Sequence, residues 1–166
     1  MIIEKIETAA EELLAKFDIK RIPIPIEEVA RSLDIRISRA PSKDFSGLLI
    51  RKDGHALIGV NSNEAPVRQR FTVAHELGHF ILHPRQDAFV DFRIDRNAKE
   101  VKPPHERHAD MFAAALLMPR KILLRDFRRL AKDGYSEDVT LKLAKQYAVS
   151  EDAMRFRLMN LNSLES

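Results

Sequence analysis

Cysteine is absent from this chain, which removes three possibilities at once: a disulfide framework, a cysteine-ligated zinc site and a thiol nucleophile. A chain without thiols suits a reducing compartment. Long apolar runs are missing as well. The amino-terminal MIIEKIETAAEELLAKF carries acids and lysines every few residues, which rules out both the apolar core of a signal peptide and a membrane-spanning helix. A soluble, cytoplasmic chain that does not enter a membrane is expected. Nor is there much excess of either sign of charge: 28 Lys and Arg against 25 Asp and Glu leave a net +3. The pI is 9.3, yet the basic residues are spread out apart from small clusters such as Arg125, Arg128 and Arg129. That distribution favours solvated helix faces over a nucleic-acid surface. There is no internal repeat or low-complexity segment, and nothing that sets an oligomeric state.

What is present suits one domain with a small appendage: 166 residues, 45% of them hydrophobic, are enough for a core without staples. Apolar residues recur at helical spacing from about Glu4 to Phe17, two alternating prolines then exclude helix at Ile22 to Pro25, and a short helix follows at about Ile26 to Leu33. Three runs rich in branched residues read as strands: Ile35 to Ser38, Gly47 to Arg51 and Ala56 to Asn61. Asp53-Gly54 marks a hairpin between the last two. Beyond Asn63 the pattern is helical. One helix, capped by Ser62 or Asn63 with Pro66 in its first turn, runs to about Leu82. FVDFRID is a candidate strand, and further helices are expected at about His105 to Met118, Arg120 to Lys132, Glu137 to Tyr147 and Glu151 to Asn160. The fold class is α+β, a small, mostly antiparallel sheet followed by helices. Residues 1–132 form the main domain, and 133–166 a helical extension packed on it.

Two histidines and a glutamate interrupt the apolar stretch FTVAHELGHFILHP. Burying them without partners would cost several kcal/mol. His75-Glu76-Leu77-Gly78-His79 fits H-E-x-x-H on a helix, where residues four apart share a face, so that two imidazoles converge on one zinc ion. Glu76, rotated around the helix, is placed to take a proton from water rather than to bind the metal. Gly78 leaves room for another backbone or a substrate. A catalytic zinc needs a third protein ligand. His83 does not qualify, because two helical turns put it about 12 Å from His75.

The third ligand is sought in HERHADMFAAALLMP, where Ala109, Phe112, Ala113, Leu116 and Leu117 form the buried stripe of a helix. Glu106 and Asp110, four apart, would repel each other without partners. Zinc accepting Glu106 and an imidazole N–H donating to Asp110, most simply that of His75, would neutralise both. His105 and His108, on the same turn, compete with Glu106 as ligands.

Together RFTVAHELGHFILH and ERHADMFAAALLMP resemble the ImmA/IrrE family of zinc metallopeptidases, which pair an AHELGH helix with a helix of E-x-x-A-N/D-x-F-A-A-x-L-L-M-P type. The likeness covers about Gly47 to Pro119 well and the flanking helices more loosely. It implies a sheet packed on an active-site helix of zincin type and a gluzincin-like peptidase. His75, His79 and Glu106 would be the metal ligands and Glu76 the catalytic base. The E-x-x-x-D arrangement is also similar to that of thermolysin-like peptidases, which supports Asp110 as the partner of a ligand histidine. By the same resemblance the substrate is a helix-turn-helix repressor of the XRE type, whose cleavage turns on stress or mobile-element genes. Several members add an N-terminal DNA-binding domain and a long C-terminal sensor domain, and this sequence shows neither.

A transition-state stabiliser is not fixed by the motifs; Tyr135, His105 and Arg70 are the candidates. Zinc is the expected ion, and manganese or iron also suits two imidazoles and a carboxylate. A substrate strand is expected to pair with a sheet edge at Ala56 to Asn61. LKLAKQYAVSEDAMRFRL imitates a helix-turn-helix, but Glu151 and Asp152 at the start of its second helix would repel phosphates. A packed hairpin or a docking surface for a protein is the preferred reading, with Arg155 and Arg157 as the features favouring DNA. The competing function is a regulator that uses a structural metal and binds a repressor or DNA through these helices.

Overall fold

Asp53 and Gly54 both adopt left-handed backbone angles, with φ 52° and 76°, as a two-residue hairpin turn of type I′ requires. They join β2 (Phe45–Lys52) to β3 (His55–Asn61), whose register starts at the pair Lys52 and His55. The computed structural model describes residues 1–92 and 101–164. Within them the hairpin is extended by β1 (Ile35–Ala40), parallel to β3, and by β4 (Ala88–Phe92), antiparallel to β2. The order is β1-β3-β2-β4, a mixed, mostly antiparallel sheet. This order corrects one expectation: Ala56 to Asn61 is no edge, because β3 is hydrogen-bonded on both sides. β4 is the edge strand on the other side of β2. The candidate strand FVDFRID is realised as far as Phe92; its remaining residues, 93–95, lie outside the described residues.

Helices α1 (Ile2–Lys16) and α2 (Ile26–Ser32) precede the sheet. α3 (Pro66–Leu82) follows the hairpin, and α4 (Pro104–Leu117), α5 (Arg120–Leu130), α6 (Glu137–Tyr147) and α7 (Glu151–Leu164) come after β4. The sheet's inner face, with Leu49, Ile58, Val60 and Phe89 buried, packs on α3. α4 covers the other side of α3, so every residue from Thr72 to His79 is buried. The cap of α3 differs from expectation. Its N-cap is Ala65, with Pro66 at the first helical position. The polar work before it falls to Asn61, whose side-chain oxygen accepts from the backbone N–H of Ser42 and of Asn63, both at 3.0 Å. At the other end Arg51 of β2 donates to the carbonyls of Phe80, His83 and Gln86. A cation there complements the helix C-terminus and satisfies carbonyls that lack intrahelical partners.

Gly78 sets the distance between α3 and α4. A Cβ there would lie 3.0 Å from Ala109 Cα and 3.1 Å from its carbonyl oxygen, so only glycine lets the two backbones approach this closely. The C-terminal helices share the core: Leu143, Tyr147, Met154 and Leu158 belong to the same apolar cluster as Ile6, Leu13 and Leu117. Arg157, buried on α7, donates to the Met118 carbonyl at 3.1 Å and forms an ion pair with Glu7 of α1. Buried Asp126 accepts hydrogen bonds from the Tyr147 hydroxyl at 2.8 Å and Gln146 at 3.1 Å, fastening α5 to α6. Among the described residues no helix is long and apolar enough to cross a membrane.

Candidate metal centre

One turn of α3 separates His75 from His79, and their Nε2 atoms stand 3.1 Å apart with the rings nearly perpendicular, at 84°. Glu106, in the first turn of α4, closes the triangle: Oε2 is 3.0 Å from His75 Nε2 and Oε1 is 3.2 Å from His79 Nε2. A tetrahedral zinc with bonds of 2.0–2.1 Å has ligand-to-ligand edges of about 3.3 Å. Three donors of the right chemistry therefore already have the separations that one ion imposes, and the group fits a divalent metal. The close approach at Gly78 makes this possible, since it brings the Glu106 turn of α4 against the histidine face of α3.

Asp110, one turn beyond Glu106, takes His75 from behind. Its Oδ1 lies 2.9 Å from His75 Nδ1 while its Oδ2 accepts from Lys102 Nζ at 2.7 Å. A proton on Nδ1 leaves Nε2 as the metal-facing nitrogen, the arrangement found for most ligand histidines. Burial alone would lower the His75 pKa, but hydrogen bonds to Asp110 and Glu106 outweigh it and raise it to about 10. Against its burial, hydrogen bonds and charge interactions with His75 and His79 hold the Glu106 carboxyl well below the usual range. A metal arriving at Nε2 thus has to displace a proton.

Glu76 is fully buried, and neither carboxylate oxygen has a hydrogen-bond partner among the described residues. Burial pushes its carboxyl up to about 8; His75 pulls it down, while Asp91 and Glu106 add to the rise. A side chain kept in so costly a state is poised to accept a proton near neutral pH rather than to hold the fold together. Gly47 of β2 makes room for it: a Cβ there would sit 3.2 Å from Glu76 Oε1 and 2.3 Å from Thr72 Cγ2.

Three residues proposed as transition-state stabilisers are placed very differently. His105 is beside the centre, with Nε2 3.4 Å from Glu106 Oε1 and its ring 6.0 Å from that of His79. Arg70 instead donates to the carbonyls of Ile24 and Ala148, at 3.0 and 3.1 Å, fastening α3 to the α2 and α6 regions. The Tyr135 hydroxyl is engaged by Thr140 at 3.0 Å and Glu137 at 3.4 Å. His83, at the C-cap of α3, packs its ring 5.8 Å from His79 but is not in the ligand group, and neither is His108. The sequence marks FVDFRID as a candidate strand but gives β4 no part in the centre. Phe89 stacks on His79 at 4.0 Å, and Asp91 brings a carboxylate oxygen within 4.8 Å of ligand atoms of His75 and Glu76. Burial raises the Asp91 carboxyl, with His75, Arg68 and Lys102 opposing. The signal was the alternation of Phe89, Val90 and Asp91, which puts the acid on the same strand face as a core aromatic.

Two imidazoles four apart on one helix, a carboxylate from the next and a buried glutamate beside them make a candidate metal centre of H-E-x-x-H type. A family model described as peptidase M78, IrrE N-terminal-like domain, matches residues 30–159, and the chain belongs to that family. The chain is 33% identical over 104 residues to the radiation response metalloprotease IrrE of Deinococcus radiodurans, covering 63% of this chain and 31% of that protein. It is 36% identical over 69 residues to the protein of the same name from Deinococcus deserti, 42% of this chain and 25% of that one. Over 64 residues it is also 36% identical to the metallopeptidase ImmA of Bacillus subtilis, 39% of this chain and 36% of that protein. The matched stretches thus span between a quarter and about a third of these relatives' own length.

Proposed function

We propose that this chain is a zinc-dependent endopeptidase that cleaves a peptide bond in a protein substrate, a helix-turn-helix repressor of the XRE type, and so regulates transcription from within the cytoplasm. The observation that carries the reading is the juxtaposition of a fully buried Glu76, without a hydrogen-bond partner among the described residues, with the His75–His79–Glu106 triangle. A purely structural metal needs the triangle and has no use for such a glutamate. The relatives' names, metalloprotease and metallopeptidase, support its metal-dependent proteolysis.

His75, His79 and Glu106 would hold the ion, and zinc suits the donor set best, with manganese or iron able to take the same three ligands. When bound, the metal supplies Lewis-acid polarisation of the scissile carbonyl and lowers the pKa of water. Glu76 takes the proton of the attacking water and delivers it to the departing amine. Asp110 holds His75 in the metal-facing tautomer. His105, at the open side of Glu106, is the candidate among the three that stands where it can donate to a developing oxyanion. A substrate strand would add to β4, the edge whose side chains Phe89 and Asp91 face the centre.

The competing reading, a regulator that binds DNA or a repressor through α6 and α7, has less behind it. Arg155 is engaged by Glu137 and Asp152, each at 2.9 Å, and Arg157 is buried against Glu7. The test is incubation of purified chain with XRE-type repressors, with and without added zinc or manganese, fragments being read by mass spectrometry. Wild type should give one discrete metal-dependent cut. Glu76→Gln should keep its metal and give none, a loss of at least about a hundredfold, and undiminished cleavage by that variant would sink the mechanism.

A further inference from the structure

Among the described residues, Asp91 is the acid near the centre that the mechanism above leaves without work. It sits on edge strand β4, in register with Gly47 of β2, and Gly47 is the position whose missing side chain admits Glu76 Oε1. Asp91 and Glu76 therefore face each other across the inner edge of the sheet, with carboxylate oxygens no more than 4.8 Å apart. Glu76 is fully buried, and neither of its oxygens has a partner among the described residues. A nitrogen between the two carboxylates can stand about 2.9 Å from an oxygen of each, an ordinary hydrogen-bond length, because those oxygens are separated by less than twice that. An ammonium, with three N–H donors and a positive charge, can serve two carboxylates at once, whereas a peptide amide has a single N–H. Phe89, two residues back on the same strand face, stacks on His79 and closes this corner with an apolar wall, where a charge-assisted hydrogen bond is strong.

We propose that Asp91 is the acceptor for the amine side of the cleaved bond, forming with Glu76 a site for the ammonium group of the newly released N-terminus. The inference rests on the peptidase reading and extends it to the leaving group. As the C–N bond breaks, the first proton that Glu76 took from water passes to the nitrogen and gives a neutral amine; the second water proton, released as the new acid product ionises to its carboxylate, follows through Glu76, and the resulting ammonium is held between two carboxylates. Cleavage thereby acquires a preference for a leaving group that can carry positive charge.

A binding experiment tests this without requiring turnover. Zinc-loaded wild type, Asp91→Asn and Asp91→Ala are titrated with the dipeptide Leu-Ala, whose free ammonium mimics the amine-side product, and with N-acetyl-Leu-Ala, which lacks it. Binding is followed by NMR, and zinc content is measured in parallel. Wild type should prefer Leu-Ala by roughly tenfold or more. The preference should shrink in Asp91→Asn and vanish in Asp91→Ala, with zinc content unchanged in all three. A preference that survives Asp91→Ala, no preference in wild type, or loss of zinc from both variants overturns the proposal. A wild-type chain that fails to cut repressors yet shows the Asp91-dependent preference would contradict the peptidase reading while leaving the ammonium site standing.

Discussion

In the proposed centre His75 would bind through one nitrogen and is steered through the other, and the consequences can be measured separately. Asp110 accepts from Nδ1 and is itself held by Lys102, so Asp110→Ala releases the ring to rotate and to change tautomer. Metal affinity in that variant, read by competition with a chromophoric chelator, should fall by about 10–100-fold; an unchanged affinity would mean that packing alone orients the ring. The proton on the metal-facing side gives a second handle. Hydrogen bonds to Asp110 and Glu106 keep His75 protonated up to about pH 10, and the bound metal takes that proton's place. Affinity should therefore rise with pH across neutrality, by about tenfold per unit for each proton displaced, whereas a flat profile would show that no proton is lost on binding. Glu76, His75 and His79 could be read from H-E-x-x-H because helical spacing alone fixes their mutual placement. Asp91 could not, because its role depends on which strand neighbours β2, and that pairing is non-local.

Two helices and one edge strand build the centre, and glycine governs how closely they meet. Gly78→Ala places a methyl 3.0 Å from the Ala109 backbone, where there is no flexible side chain to move aside. It should destabilise the fold by about 1–3 kcal/mol in urea unfolding and weaken metal binding as well, because Glu106 rides on the helix that is pushed away. Loss of stability without loss of affinity would show that α4 tilts about its first turn and keeps Glu106 in place. The periodicity of the sequence anticipates each helix to within a few residues, since burial of one face imposes it locally. It also gives the hairpin, whose Asp-Gly turn is a local signal. It misplaces the exposed edge, assigning it to Ala56 to Asn61, because nothing in β3 itself says that β1 will pair with it in parallel. The cap of α3 is misread for a related reason: Asn61, at the end of β3, takes the hydrogen bonds that would have fallen to a cap residue.

At the scale of the whole molecule, Arg157 and Glu7 link α7 to α1, while α1 packs on α4. Sequence offered Arg157 as a possible phosphate contact; its burial at 5% exposure makes it a tie between helices. Arg157→Met leaves Glu7 largely buried without its cation, and the cost in urea unfolding should be about 3–5 kcal/mol, whereas a change within error would mark the pair as a surface contact. Because the C-terminal helices share the core with α1 and α4, such losses should appear as one cooperative transition rather than two. The proposed centre is a single ion held by His75, His79 and Glu106 beside a Glu76 that does not bind it. The most direct measurement is metal content per chain after dialysis against zinc and then buffer, for wild type, Glu76→Gln and Glu106→Ala. One zinc per chain in the first two and a near-complete loss in the third is the predicted result. Retention of zinc by Glu106→Ala, or its loss from Glu76→Gln, would contradict the assignment of the centre.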